Sequence, residues 1–378
     1  MIYVLKHFDT PLIRFSAESG ADSAVQLLWV NETHKELLPL DFQQFVDAEH
    51  LDSWLRHRTI PRNRAYVDSI LSAMGLSINR PMDVIRLSKG LSLNDCHWVT
   101  EDGFEGTFDQ FNLYDNKFSR VLGEIAFTGY GSNRAPAISS SPEFTTNGML
   151  PKCWRRNNGV ISLYKGGTEG ASNTGNEPYA EFYASQIAEL CGFNAISYRL
   201  TKWKGRLCSV CDLFTSKDVS FIPVGRLVAK GGMPAVRNYY EVLGSQYLDA
   251  LNEMIVFDAL IYNTDRHFGN FGFLIDSHSN QIIAPAPLFD HGNSLFNYAP
   301  LDAFESLATM RKYAKTLLPR VYDDFVAEAK AVITHDQRNA LCKLLNFKFK
   351  LNPRYNWNKQ RLAMVEQMVS ERARAILG

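Results

Sequence analysis

The stretch "NTDRHFGN" at 263–270 holds a carboxylate, a guanidinium, an imidazole and two side-chain amides in eight positions. It follows "LNEMIVFDALIY", a run apolar enough to be buried. Beyond it, "FGFLID", "SHSN" and "QIIAPAPLFD" read as strand, turn and strand, with a ladder that frays at Pro285 and Pro287. Folded antiparallel, residue 276 faces 281 and Asn270 lies near residue 287. Asp290, in "FDHGN", then returns to the mouth beside Asn270 and Asp265. Asn270 and Asp290 suit Mg²⁺, which takes one or two protein oxygens together with phosphate oxygens and water. Asp265 is left to accept a hydroxyl proton. An aspartate five positions before an asparagine, with a metal aspartate beyond a hairpin, is an arrangement for phosphoryl transfer. The blander reading is a polar turn that caps a helix and a hairpin. It suffices for "DRH" alone and explains the whole set less well.

Such a centre needs a phosphate loop and a lysine upstream. "SPEFTTNGMLPKCW" offers Thr145, Thr146, Asn147 and Gly148, whose backbone and hydroxyls could cover phosphates; a plain hairpin turn is the equal alternative. In "GVISLYKGG", Lys165 shares a strand face with Ile161 and Leu163, so a buried head would need a partner or an anion. The alternative is an edge strand with Lys165 in water. Glu181, on the following helix, is the suitable partner, and Glu177 one turn away is the other choice.

These residues need elements to hold them. "EPYAEFYASQIAELCGF" is a helix with Phe182, Ile187, Leu190 and Cys191 near one face and Gly192 at its end. "ISYRLTKW" and "RLCSVCDLF" read as strands. From about residue 240 the pattern is helical: "SQYLDALNEMIVFDALIYN", "PRVYDDFVAEAKAVI", "HDQRNALCKLLN" and "NKQRLAMVEQMVSERARAIL". The N-terminal part opens with "MIYVLKHFDTPLIRF", read as a strand, and "AVQLLWVN", another. "DAEHLDSWLRHR" and "RNRAYVDSILSAMGL" follow, the latter a partial helical stripe closed by Gly75. "GYGSNRAPAISSSP" at 129–142 is the best linker. The expected class is α+β: a mixed unit at 1–135, a strand-rich lobe at 136–216 and a helical lobe at 217–378.

Composition narrows the function. The chain has 378 residues with 40 basic and 40 acidic side chains, so no net charge draws it to nucleic acid or to an anionic membrane. Neither a signal peptide nor a membrane span is expected, and the scattered cysteines suggest a reducing, cytoplasmic setting. Cys208 and Cys211 form a C-x-x-C, but on a strand that spacing points them apart, with no second Cys/His pair nearby for zinc.

The order "FTTNGMLPKCW … LYKGG … EPYAEFYASQIAELCGF … NTDRHFGNFGFLID … LFDHG", over roughly 140–325, resembles the HipA-like Ser/Thr protein kinases of bacterial toxin–antitoxin systems. The resemblance implies a two-lobed protein-kinase-like fold with an extra N-terminal subdomain, and an ATP- and Mg²⁺-dependent enzyme. By it Asp265 is the catalytic aspartate, Asn270 and Asp290 the metal ligands, Lys165 the lysine on the ATP phosphates and Glu181 its helix partner. Thr145 to Gly148 match the nucleotide loop, which can be autophosphorylated, and Ser139, Ser140 and Ser141 flank it. Cys211 and Phe214 fall where the hinge would contact adenine. His267 would support Asp265 or serve as a structural histidine. "DHG" stands where protein kinases have "DFG", so nothing about Phe-dependent activation carries over. The implied partners are a protein substrate and an antitoxin-like regulatory protein, with no direct nucleic-acid contact and no membrane. The rival readings are a phosphoinositide-type lipid or small-molecule kinase, and a non-catalytic kinase-fold regulator.

Overall fold

The computed structural model describes residues 1–18, 25–43, 45–131, 141–170 and 173–378. The chain forms two compact units. One comprises Met1–Lys165, Asp212–Ile222 and Leu274–Ile283; the other comprises Gly166–Cys211, Pro223–Phe273 and Ala284–Gly378. Antiparallel sheets and packed helices make the class α+β, as the sequence pattern requires.

The first unit opens with a four-stranded antiparallel sheet in the order Gln26–Val30, Thr10–Ser16, Ile2–His7, His97–Glu101. The expected single N-terminal strand is thus a hairpin. It turns at Phe8, whose φ of 48° reverses the chain, and Tyr3 faces Phe15 across it. The alternation of "IYVLKH" and "TPLIRFS" puts Tyr3, Leu5, Ile13 and Phe15 on one face, and a register shift opposite Leu5/Lys6 adds Leu12; all lie in one core with Leu51, Trp54 and Leu55 of helix Ala48–Arg56. The helix expected from "RNRAYVDSILSAMGL" is short, Val67–Ser72, and Gly75 lies beyond it at φ +68°. The linker at 129–142 lies largely outside the described residues, as do Ser139 and Ser140. After it, Lys152–Asn157 pairs antiparallel with Val160–Gly166. Asn158 and Gly159, at φ +50° and +84°, form the two-residue turn between them.

The second unit contains helix Glu177–Cys191, ended by Gly192 at φ +75°. A strand pair follows, with Thr201 facing Cys208. Its centre is helix Ser245–Ile261, whose last eight residues, Met254 to Ile261, are all buried. A helix apolar on every side belongs inside, and helix Phe325–Val332 packs on it. That neighbour begins six residues later than "PRVYDDFVAEAKAVI" suggests. Asp324 takes the cap position, accepting from Val326 N and Ala327 N at 2.9 and 2.7 Å, so 319–324 stay outside the helix. Helix Lys359–Leu377 closes the chain. Among the described residues no helix is long and apolar enough to cross a membrane.

Candidate active site

The buried helix ends because Tyr262 adopts φ +55° and the Asn263 amide turns back onto Asp258 O at 3.0 Å. Asp258 is a carboxylate in an otherwise apolar run, fully buried. Its oxygens are satisfied by Asn263 Nδ2 and by Arg266 Nε and Nη2, each at 2.9 Å. Burial opposes the charge on Arg266, but the Asp258 carboxylate outweighs it and raises the guanidinium pKa above its usual value.

Arg266 organises both halves of the constellation. Its Nη1 donates to Asn270 O at 3.1 Å and to Phe289 O at 2.7 Å, and Nη2 lies 3.3 Å from His291 Nδ1. One buried guanidinium therefore holds "NTDRHFGN" against "FDHGN". Thr264 N adds a bond to Asn293 O at 3.2 Å. The hairpin that brings Asp290 back runs Gly272–Asp276 and Gln281–Pro285, and Ala286 N still donates to Gly272 O at 2.9 Å. Asp290 has φ +59°, a left-handed conformation uncommon outside glycine, and its amide donates to Tyr198 Oη at 3.1 Å. Sequence reasoning missed Asp258 and Arg266. The signal was there: a lone carboxylate inside an apolar helix needs a partner.

Asp265 and Asp290 are half-buried and Asn270 is buried. Asn270 Nδ2 faces Asp265 O at 3.5 Å, which turns its amide oxygen elsewhere. The His267 ring accepts from Gly269 N at 3.0 Å, and burial lowers its pKa against the attraction of Asp265. Asp265 is ion-paired with Arg320, a residue of the loop before Asp324 that sequence spacing gave no reason to place there.

Glu181 is fully buried and accepts from Ser209 Oγ. Glu177 accepts from Tyr298 Oη at 2.6 Å and from Thr168 N at 3.2 Å. Cys211 is half-buried at the end of its strand, and Cys208 is fully buried. Phe214 stacks edge-on against Phe221.

In the first unit Lys165 is only 7% exposed, so the edge-strand alternative with its head in water does not hold. Lys152, 4% exposed, sits directly opposite it across the hairpin. Two like charges facing each other on a sheet are unfavourable unless anions or dipoles meet them. Lys152 Nζ donates to Asn147 O at 2.8 Å, inside the candidate loop. Gly148 there has φ +94°, which strains any residue with a Cβ, and a Cβ would also push aside the Lys152 ammonium. The threonine hydroxyls are turned inward: Thr145 Oγ1 donates to Leu91 O at 2.8 Å and Thr146 Oγ1 to Pro142 O at 2.6 Å. Covering phosphate would fall to the loop's backbone, not to these hydroxyls. Residues 147–149 are exposed while the base of the loop is buried.

The donor set fits the expected groups. Asp290 and Asn270 are hard oxygen donors, too few for an all-protein cage and suited to a cation completed by phosphate and water. Among the described residues no cluster of three or more His, Cys, Asp or Glu side chains could hold a metal alone. Two buried lysines beside a glycine turn suit a polyanion.

These features define a kinase-like α+β fold. No family model and no curated protein sequence matches the chain. Among solved structures it is similar to HipA of Shewanella oneidensis MR-1, solved with HipB and operator DNA as a toxin–antitoxin system. That likeness has 13% identity over 100% of this chain and 97% of that one, with a TM-score of 0.55. It is also similar to CtkA, a Helicobacter pylori proinflammatory kinase, at 19% identity over 60% of this chain and 91% of that one, with a TM-score of 0.48. The protein has a HipA-like kinase fold.

Proposed function

We propose that this protein is an ATP- and Mg²⁺-dependent kinase that phosphorylates Ser/Thr hydroxyls of proteins, its own among them. The observation that supports the reading is the Arg266 clamp, whose bonds to Asn270 O and Phe289 O tie the segment of Asp265 and Asn270 to the segment of Asp290. ATP with Mg²⁺ would supply the phosphoryl group and the positive charge that offsets it. Asn270 and Asp290 hold the cation through oxygen. By the resemblance Lys165 would attract the ATP phosphates with Glu181 as its acidic partner, and Lys152, opposite Lys165 on the hairpin, would add a second positive charge. Cys211 and Phe214 line the adenine end. Asp265 accepts the acceptor's hydroxyl proton, which requires Arg320 to release it. His267, its pKa lowered, stays neutral near pH 7 beside Asp265. Residues 136–216 and 217–378 then act as the two lobes. HipA's complex with HipB supports an antitoxin-like protein as the regulatory partner.

The test is incubation with γ-labelled ATP, with and without Mg²⁺, offering protein acceptors or phosphoinositide vesicles. Mg²⁺-dependent label on Ser or Thr of protein is the expected result. Label on lipid alone would move the reading to a lipid kinase. No transfer to any acceptor would leave a non-catalytic module.

A further inference from the structure

Two buried charges, Arg64 and Glu143, meet under the segment that carries the candidate nucleotide loop; they are 3% and 1% exposed. Arg64 precedes helix Val67–Ser72, and Glu143 lies in the short turn Pro142–Phe144. Arg64 Nη2 donates to Glu143 Oε2 at 2.5 Å and to Lys152 O at 3.1 Å, while Nη1 donates to Glu143 O. One planar fork therefore grips both ends of 143–152. Glu143 Oε1 accepts from Trp154 N at 2.9 Å, fixing the start of the following strand. Two more ties come from the same N-terminal region: Ala65 N donates to Met149 O at 2.8 Å, and Thr145 Oγ1 to Leu91 O at 2.8 Å. The exposed tip at 147–149 is held by Ala65 N on Met149 O and rests on a base fixed at Glu143, Thr145 and Lys152.

We propose that the Arg64–Glu143 pair is a positioning device that holds the 145–148 loop in its anion-binding shape, making the N-terminal region a working part of the nucleotide site. This rests on reading 145–148 as the nucleotide loop. A loop that binds phosphate through its backbone must have its amides aimed in advance, or binding bears the cost of ordering them. Arg64 supplies that order by satisfying two carbonyls nine residues apart in a buried setting. A lysine could keep the charge but not the fork.

A structural role and a positioning role separate in the double variant Arg64→Met/Glu143→Met. Replacing both members of a buried pair by apolar side chains of similar size is often neutral for stability. The double variant leaves no buried charge unpaired but takes the side-chain partners from Glu143 O, Lys152 O and Trp154 N, so it should fold and melt below wild type. Isothermal titration of the full chain with Mg²⁺ and adenylyl imidodiphosphate, well below Tm, should show at least about ten-fold weaker binding. Arg64→Lys keeps a charge opposite Glu143 and folds; its affinity should fall several-fold, and it decides the matter should the double variant not fold. Wild-type affinity in either folded variant would overturn the proposal. Absence of saturable binding by the wild-type chain would instead bring down the nucleotide reading, and the positioning role with it.

Discussion

Asp265 meets a guanidinium from a loop 55 residues away, and that pair sets the first expectation at the scale of single residues. Arg320 and Asp265 are both substantially exposed, so their attraction is an exposed ion pair of ~0.2–1 kcal/mol, screened by salt. Arg320→Ala should free the carboxylate and raise the initial transfer rate at low acceptor concentration by about two- to five-fold in low salt. The gain should vanish at high salt. A slower variant would instead make Arg320 a contact for the acceptor or the phosphoryl group. Arg266 is the opposite case. It is buried against Asp258 and bonded to the backbone on both sides of the site. Arg266→Met leaves a buried carboxylate without its cation and should cost about 3–5 kcal/mol, read as a large fall in Tm by circular dichroism. A melt unchanged within a degree would show that Asp258 finds other partners.

At the scale of elements, helix Glu177–Cys191, the buried helix Ser245–Ile261 and the hairpin between Gly272 and Pro285 are written in local pattern and punctuation. The hairpin arithmetic that returns the segment of Asp290 to that of Asn270 needs only strand geometry, so this much of the candidate arrangement was legible. What ties it together was not. Asp258 and Arg266 are neighbours only because Tyr262 and Asn263 reverse the chain, and Arg64 and Glu143 lie 79 positions apart. The opening hairpin was missed because Phe8 carries a turn conformation that its residue type does not advertise. The helix at Phe325–Val332 shows the same limit at a boundary, since "DD" reads as helix or cap until a side chain chooses. Asp324→Ala removes that cap and should cost ~1 kcal/mol, visible as a lower Tm. An unchanged Tm would mean that packing alone sets the start of the helix.

At the scale of the molecule, stability should depend on pH through His7. It is buried in the first unit, and burial, with His97 beside it, holds its pKa down at about 3 instead of 6.5. A base with a depressed folded pKa contributes stability above its unfolded pKa and loses it as pH falls towards the folded one. Tm should therefore decline between pH 6.5 and about 3, with His7 contributing at most ~1.4 kcal/mol per pH unit. His7→Asn should flatten that slope even if it lowers Tm at neutral pH; an equally steep slope would place the acid sensitivity elsewhere. The proposed division of labour has Asp265 moving a proton and Asp290 and Asn270 holding a cation. Measuring nucleotide affinity with Mg²⁺ and phosphoryl-transfer rate together, for Asp265→Asn and Asp290→Asn, tests it most directly. Asp265→Asn should bind Mg²⁺·ATP like wild type while transfer falls by about a hundred- to ten-thousand-fold. Asp290→Asn should lose both the Mg²⁺-dependent part of the affinity and the turnover. Near wild-type transfer by Asp265→Asn would contradict the account, reducing the cluster to a polar turn at the end of a buried helix.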